Sequence, residues 1–404
     1  MDESSKLDEP KIADTHSQIQ GDDVNDTVKK RIVYYLSGFD PRGVRHYHAL
    51  YKEHSQKQSK INGIETTVSS RKKIHNHLHQ WEIEAIYNGE NVHTTYRFLS
   101  WDDIIRAQWS SGLLSYYKDL IYCIIAYIFN GLVFSFAKAS PKQMLAAFYP
   151  VVYLLGAIFS ALYGGISLYE WWGGWISIIP SVGIAIVILV LFEKFGNKIG
   201  VFWLLRIYAF SVRWGKGEVQ SIEERIDHFS LEIAKAVKDE DTDEILLISH
   251  SVGTILAVSV LARALQKESD GWEKFAMVTL GECIPLVSFQ PNAKDYRHEL
   301  RQIAQQKDLF WIDYTSPIDG ACFPLHDFMK SSDISTETSS IPLYLSTRFH
   351  KLYDNITYKK LRRDWYKTHF LYLTSTQKSG EYDYFAITAG VASLRSRLTH
   401  SKES

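Results

Sequence analysis

The sequence contains few cysteines and has no excess of charge of either sign. Its three cysteines, Cys123, Cys283 and Cys322, are too few and too scattered for a disulfide framework or a structural zinc site. Lys and Arg total 45 and Asp and Glu total 46, so the chain lacks the basic excess that would favour a nucleic-acid partner, and none is expected. Phosphate-binding glycine loops, dinucleotide-binding glycine motifs and paired-cysteine motifs are also missing, and we expect no cofactor.

The hydrophobic residues are concentrated in one part of the chain. Residues 145–168 and 171–192 contain no Asp, Glu, Lys, Arg or His, and Glu170 lies between these two runs. Because a helix rises about 1.5 Å per residue, each run can cross a hydrocarbon core of about 30 Å. These runs predict a transmembrane hairpin with a tight turn at residues 171–175. A buried helical hairpin inside a soluble domain is the alternative.

Basic residues flank both ends of this predicted hairpin, whereas its tip carries the single charge of Glu170. The positive-inside rule therefore predicts that both flanks are cytoplasmic and that the tip is outside. Two further apolar segments, residues 120–136 and 201–212, are predicted to lie in or against the membrane interface without spanning it. The flanking basic residues are Lys138, Lys142, Lys194, Lys198, Arg206 and Arg213.

The polar remainder of the chain alternates strand-like and helix-like stretches. This alternation predicts an α/β fold with a mostly parallel sheet flanked by helices. The predicted strands cover residues 31–37, 65–70, 81–87, 92–99, 244–249, 275–280 and 309–314, and the predicted helices cover 44–58, 221–238, 252–265 and 293–306. The predicted regions are a disordered polar tail (1–30), two parts of one domain (31–110 and 214–394), the membrane insertion (111–213) and a second tail (395–404).

The strongest chemical signal is the pattern S-x-S-x-G between a predicted strand and a predicted helix, formed by Ser249, Ser251 and Gly253. A sharp strand-to-helix turn needs small residues two before and two after its apex, because the two backbones nearly touch there. The apex side chain is exposed at the carboxyl end of the sheet, at a helix N-terminus that favours developing negative charge. The pattern predicts a catalytic serine at position 251. A serine-rich helix cap is the alternative.

With this motif in its strand–turn–helix context, the chain resembles the α/β-hydrolases, and in particular bacterial integral-membrane hydrolase-like proteins. The resemblance covers most of the sequence outside the insertion and the tails, although Ser249 replaces the first glycine of the usual G-x-S-x-G. It implies an α/β-hydrolase-type sheet interrupted by the transmembrane hairpin. It also implies Ser251 as the nucleophile and the backbone N–H groups of Phe39 and Val252 as the oxyanion hole. Ser37 stands where the family often has a histidine.

In this family the acid follows the nucleophile in the chain and precedes the base. Asp319 lies in the loop just after the predicted strand 309–314, where an acid can reach a histidine while it stays partly buried. We therefore favour Asp319 as the triad acid. Asp313, inside the strand, and Asp327 are the alternatives.

The base must lie still later in the chain. His369 is followed by Tyr372, and this H-x-x-Y pattern resembles the neighbourhood of the last histidine in several hydrolases. We favour His369 and keep His350 as the alternative. His326 follows the acid too closely, and His400 lies in the predicted tail. The other interpretation of His369 or His350 is a histidine that only caps or packs against the sheet.

These features predict a membrane-anchored serine hydrolase that acts on a carboxylic ester, lipid-like because the site is held beside a bilayer. A thioesterase or an acyltransferase would use the same residues, and a non-catalytic membrane scaffold would keep the fold without the activity. The hydrolase domain is expected on the cytoplasmic side, in a bacterial inner membrane by the resemblance. His75, His77 and His79 alternate, but a solvated polar segment is favoured over a metal site there, and no metal is expected.

Overall fold

The structure is a computed structural model that describes residues 27–335 and 341–400. Within these residues, strands rich in β-branched and aromatic side chains form one sheet. The strands are β1 (Lys30–Leu36), β2 (Glu65–Val68), β3 (Lys72–His75), β4 (Leu78–Tyr87), β5 (Glu90–Leu99), β6 (Glu244–His250), β7 (Phe275–Leu280), β8 (Phe310–Thr315) and β9 (Leu343–Ser346).

The sheet order is β2-β4-β5-β1-β6-β7-β8-β9, with β3 paired to β4 at one edge. In this sheet order, each neighbouring pair from β5 through β1, β6, β7 and β8 to β9 is parallel. The pairs formed by β2, β3 and β4 at the other edge, and the pair β4–β5, are antiparallel. This mostly parallel sheet confirms the predicted α/β class. Strand β1 precedes the predicted membrane insertion and pairs with β6 after it, and a buried Arg31–Glu244 ion pair joins the two strands. The chain segments on either side of the insertion therefore belong to one sheet.

Helices cover both faces of the sheet, so the strands have two hydrophobic cores. Along β1, Ile32 and Tyr34 belong to one core, whereas Val33 and Tyr35 belong to the other. The helices before the insertion are α1 (Gly43–Asn62) and α2 (Asp102–Ala107). The helices after it are α8 (Ile222–Ala236), α9 (Gly253–Lys267), α10 (Pro285–Ser288), α11 (Lys294–Ala304), α12 (Phe328–Ser331), α13 (Phe349–Leu352), α14 (Asn355–Leu361), α15 (Trp365–Phe370), α16 (Tyr384–Ala389) and α17 (Leu394–His400), together with single turns of 3₁₀ helix at Trp272–Lys274 and Leu371–Leu373.

The insertion contains the helices α3 (Leu113–Cys123), α4 (Leu132–Ala139), α5 (Pro141–Trp172), α6 (Ile178–Lys198) and α7 (Val201–Gly215), with a π-helical turn at Ile124–Phe129 and a 3₁₀ turn at Trp175–Ser177. Helices α5 and α6 pack against each other as a hairpin and expose most of their large apolar side chains. In the described residues these two helices are long and apolar enough to cross a membrane. Helix α5 extends beyond its predicted span at both ends, whereas α6 begins and ends later than its predicted span. The turn between them begins with Gly173 and Gly174 at φ near +73°.

The two segments predicted at the membrane interface differ in the structure. Residues 120–136 do not form one helix: α3 and its π-helical turn meet α4 at a 75° bend after Gly131, which has a left-handed φ of +72°. The described residues thus contain two candidate spans, or three if this bent pair is one span. For residues 201–212 the prediction is wrong. Helix α7 is buried along almost its whole length inside the protein, so it cannot lie on a membrane surface.

Both predicted tails are shorter than expected where the structure describes them. Residues 1–26 lie outside the described part, but Thr27 pairs with Ala392 and Val28 is buried. At the other end, residues 394–400 form α17, which begins at the buried Leu394. The folded domain therefore extends past residue 395, because α17 continues to His400 and is anchored by the buried side chain of Leu394. Residues 401–404 lie outside the described part.

Candidate active site

Ser251 occupies a sharp turn between the end of β6 and the start of α9. Its backbone has φ +56°, a left-handed conformation that costs energy for a residue with a side chain and that is common at functional sites. A Cβ atom at Gly253 would lie 2.4 Å from the carbonyl oxygen of Ser37, so only glycine allows α9 to leave the sheet here. Ser249 is fully buried opposite Leu36, which shows that serine is small enough for the first position of the motif.

The structure brings Ser251, His369 and Asp319 together in one hydrogen-bonded chain. His369 Nε2 lies 2.7 Å from Ser251 Oγ, and His369 Nδ1 lies 2.9 Å from Asp319 Oδ2. Because the carboxylate can only accept, Nδ1–H donates to Asp319 and Nε2 is free to accept from the Ser251 hydroxyl. All three side chains are buried. This is the geometry that a general base needs to take a proton from a serine.

Asp319 is held as a carboxylate by several donors. The Ala321 N–H donates to its Oδ1 at 2.9 Å, and the Tyr372 hydroxyl donates to its Oδ2 at 3.0 Å. Burial acts to raise the pKa of Asp319, but the charge of His369 and the hydrogen bonds from His369, Ala321 and Tyr372 lower that pKa below its usual range. Asp319 therefore remains negatively charged beside the His369 imidazole.

The predicted oxyanion donors lie on either side of Ser251. Val252 follows it and precedes the first residue of α9, and Phe39 follows Gly38, at which a Cβ atom would lie 2.9 Å from Ser251 Cβ. Among the hydrogen bonds between described residues, none uses the N–H of Phe39 or of Val252 as a donor. Two unengaged N–H groups beside a serine, one of them at a helix N-terminus, are suited to bind an oxyanion.

The alternative acids have other roles in the structure. Asp313 is buried inside β8, where it accepts a hydrogen bond from the Thr279 hydroxyl at 2.6 Å. Burial raises the pKa of Asp313 to about 8, and burial also raises the pKa of Glu282, whose charge would repel that of Asp313. Asp327 caps the N-terminus of α12 through the N–H of Lys330. Neither aspartate is hydrogen-bonded to His369 in the described residues.

The alternative bases are likewise engaged elsewhere. His350 is exposed on the short helix α13, with its ring 6.3 Å from that of Tyr358. The ring of His326 packs against the ring of Phe289. His400 is the last residue of α17, and its side chain is outside the described part of the chain. Of the histidines considered from the sequence, His369 is the one that the structure brings to Ser251.

Three side chains at this site were not predicted from the sequence. His250 Nε2–H donates to the backbone oxygen of His369 at 2.7 Å, and burial together with the nearby His369 lowers the pKa of His250 to about 3, so it stays neutral. Tyr372 donates to Asp319, and its signal was already present as the last residue of the H-x-x-Y pattern. Trp203 of α7 packs edge-on against the His369 ring at 5.6 Å, and no motif marks it.

A second nucleophile lies close to Ser251 but is poorly suited to react. The Cys283 thiol is 3.8 Å from Ser251 Oγ. Burial raises the pKa of Cys283 well above its usual range, so it stays a thiol, whereas the thiolate is the reactive form. The serine is therefore the better candidate nucleophile of the two.

A cavity of about 1040 Å³ lies between this site and the base of the hairpin. Its wall includes Phe39, Trp203 and Ala321, which adjoin the Ser–His–Asp chain, and also Leu145 and Tyr149 from the first turns of α5. The prediction that the Ser251 side chain is exposed is wrong: the residue is 3% exposed and does not line the cavity, because the strand, helix and loops around the turn close over it. A ligand in the cavity therefore reaches its hydroxyl only after side chains between them move.

One other group of side chains could hold a metal ion. His75, His228 and Glu232 place one donor atom each within 4.8 Å of one another. His228 Nε2 is 3.2 Å from His75 Nδ1, and His75 Nε2 is 3.6 Å from Glu232 Oε1. The first distance is that of a hydrogen bond between the two rings, which explains their closeness without a metal ion. His77 and His79, the other members of the alternating histidines, do not belong to this group in the described residues.

Comparisons with protein-family models, with curated proteins and with solved structures found no match to this chain.

Proposed function

We propose that this chain is a membrane-anchored serine hydrolase that cleaves carboxylic esters of lipid-like molecules. The observation that carries the proposal is the hydrogen-bonded chain from Ser251 through His369 to Asp319, set at a strained turn before α9. A histidine that only packs against the sheet would need neither a serine in a strained conformation on one side of its ring nor a buried carboxylate on the other. The combination matches the requirements of nucleophilic acyl transfer.

In the proposed mechanism, Ser251 Oγ attacks the ester carbonyl while His369 Nε2 takes the hydroxyl proton. Asp319 holds His369 in the required tautomer and stabilises the imidazolium by its charge. The N–H groups of Phe39 and Val252 bind the oxyanion of the tetrahedral intermediate. His369 then donates the proton to the leaving alkoxide, and an acyl-enzyme forms on Ser251. Water, activated by the same histidine, hydrolyses this ester and restores the serine.

The lipid-like substrate is supported by the position of the cavity. Residues near the start of α5 and at the end of α6 line it, so it adjoins the end of the candidate spans. A site in this position would meet acyl chains at high local concentration. The basic residues on both sides of the hairpin support a cytoplasmic orientation for the sheet domain, which a reporter fused after Ser404 would test by a cytoplasmic signal. An external signal would reverse this orientation.

A fluorophosphonate probe tests the proposed nucleophile, because it forms a covalent bond with an activated serine. We expect one probe per chain on Ser251, and none on the Ser251→Ala variant with an unchanged melting temperature. A well-folded wild-type protein that is not labelled would favour the non-catalytic scaffold instead. A thioesterase or an acyltransferase would be labelled in the same way, and matched ester and thioester substrates, with and without an acceptor alcohol, separate these activities.

A further inference from the structure

Arg206 is an unusual buried charge in the wall of the cavity. The described part of the chain has three buried arginines, and two of them form ion pairs, Arg31 with Glu244 and Arg225 with Asp103. Arg206, which is 6% exposed on α7, forms no ion pair there. Buried charges in proteins are usually paired, because removal from water is costly. An unpaired one facing a cavity indicates an anionic ligand.

Neutral groups hold the Arg206 side chain in place, and the carboxylate that acts on it through space, Asp119, is already paired with Arg213. Its Nε–H donates to the backbone oxygen of Ser110 at 2.8 Å, and its Nη2 donates to the Tyr116 hydroxyl at 2.7 Å. The guanidinium lies over the Trp109 ring at 4.4 Å from its centre. Among the hydrogen bonds of the described residues, none uses Nη1. The guanidinium is therefore fixed in orientation, with donor capacity left for another partner.

The remaining wall of the cavity adds positive charge and apolar surface. Arg42 in this wall is neutralised by Asp40, whereas Lys198 and Arg363 are exposed and form no ion pair in the described residues. The rest of the wall consists of aromatic and other uncharged residues, including Trp203, and of Asp364, which is paired with Lys367. A ligand that satisfies both parts of this wall carries an anionic group and an apolar chain.

We propose that the cavity binds an anionic amphiphile, with Arg206 pairing to its phosphate or carboxylate group and the aromatic wall contacting its chain. Arg206 is one turn along α7 from Trp203, which packs on His369. The anionic group is thus recognised close to the candidate nucleophile. That this amphiphile is also the ester cleaved at Ser251 rests on the proposed function, whereas its binding does not.

The test uses the full-length Ser251→Ala protein in neutral maltoside micelles, with octyl phosphate as the probe and calorimetry against a protein-free micelle blank. Octyl phosphate should bind saturably, at least about tenfold more tightly than octanol or inorganic phosphate. Octanoate is the second anionic probe, and the tighter of the two anions identifies the preferred group. Equal binding of octanol, or equal binding of inorganic phosphate, would overturn the proposal. This comparison needs no variant of Arg206.

Variants then assign the anion selectivity to one residue. Arg206→Gln should reduce the preference for octyl phosphate over octanol by about tenfold or more, and Arg206→Lys should keep most of it. Lys216→Gln is the matched control, because Lys216 is an exposed cation directly after α7 that does not line the cavity. A folded Arg206→Gln protein that keeps full selectivity would contradict the assignment.

The two proposals fail in distinguishable ways. Anion-selective binding by the Ser251→Ala protein, together with no esterase activity in the wild type, removes the hydrolase proposal and leaves the binding site. Esterase activity in the wild type, together with no anion-selective binding by the Ser251→Ala protein, removes the binding site and leaves the hydrolase.

Discussion

Strand β8 and the loop that follows it each hold one buried aspartate, and the two carboxyl groups have opposite pKa shifts. Asp313 lies inside the strand with a single hydroxyl donor, and burial raises its pKa to about 8. Asp319 lies in the loop with three donors, and the pKa of this carboxyl is below its usual range although burial acts to raise it. Burial is the same in both places, so the charge of His369 and the three donors keep Asp319 ionised.

The comparison teaches why the loop can supply a catalytic carboxylate and the strand cannot. Inside a parallel sheet the backbone N–H groups are used by the neighbouring strands, so a side chain there has few donors. Beyond the end of the strand, the backbone N–H of Ala321 is free to donate to Asp319, and Tyr372 and His369 approach from another segment.

The largest expected effect comes from making the same change at each aspartate. Asp319→Asn should reduce kcat for a short p-nitrophenyl ester by about 10⁴-fold, because an amide neither fixes the His369 tautomer nor stabilises the imidazolium. Asp313→Asn, six residues earlier, should leave kcat within about twofold. Equal losses of activity in both variants would contradict the conclusion that only the loop carboxylate takes part in catalysis.

Tyr372→Phe tests how much a single donor contributes to the loop carboxylate. Removing its hydroxyl deletes one of the hydrogen bonds that lower the pKa of Asp319. We expect kcat/KM to fall by about tenfold, which is the size of one hydrogen bond to a charged group. The acidic limb of the pH–rate profile should move to higher pH. An unchanged profile in a folded variant would show that Tyr372 only packs there.

Asp313→Asn has a second expected effect, on stability rather than on activity. The native protein keeps the Asp313 proton up to about pH 8, whereas the unfolded chain loses it near pH 4. The native state therefore binds more protons in this window, and the wild type loses stability as the pH rises through it. Melting in detergent should show the variant gaining at least about 2 °C relative to the wild type between pH 5 and pH 8. A constant difference would contradict the raised pKa.

The smallest expected effect concerns the donor to Asp313. Thr279→Val removes the hydroxyl that donates to Asp313 and that accepts from the Trp311 indole N–H. We expect a loss of about 1–3 kcal/mol in the free energy of unfolding, because buried polar groups lose their partners. Esterase activity should not change. A large loss of activity would indicate that the strand interior, and not only the loop, supports the site.

Much of the sheet and of the candidate site could be predicted from local patterns. Strands β1 and β6 have continuous apolar runs, and the small residues around Ser251 reflect a turn at which backbones nearly touch. Asp319 lies four residues after the end of β8, so the carboxyl edge of a parallel sheet was the expected place for it. Strand β9 was not predicted, because its four residues LYLS include no β-branched residue, whereas the equally short β2 contains Thr66, Thr67 and Val68.

Helix α7 shows where composition stops being informative. It is as apolar as a surface-lying membrane helix, yet α6 exposes its apolar residues whereas α7 is buried among α3, α5, α6 and α10. Lipid and protein core favour the same side chains, so an apolar sequence cannot tell the two apart. The contact of Trp203 with His369 and the unpaired charge of Arg206 follow from this burial and were for that reason not predicted.

The central claim is that the Ser251 hydroxyl forms an acyl-enzyme, and rapid acid quenching of the protein during turnover of a p-nitrophenyl ester tests it most directly. The account predicts a burst of p-nitrophenol and an acyl group on the peptide that contains Ser251. It also predicts that Ser251→Ala loses the burst and the adduct. An adduct on Cys283 or elsewhere, or steady turnover by Ser251→Ala at the wild-type rate, would contradict the account.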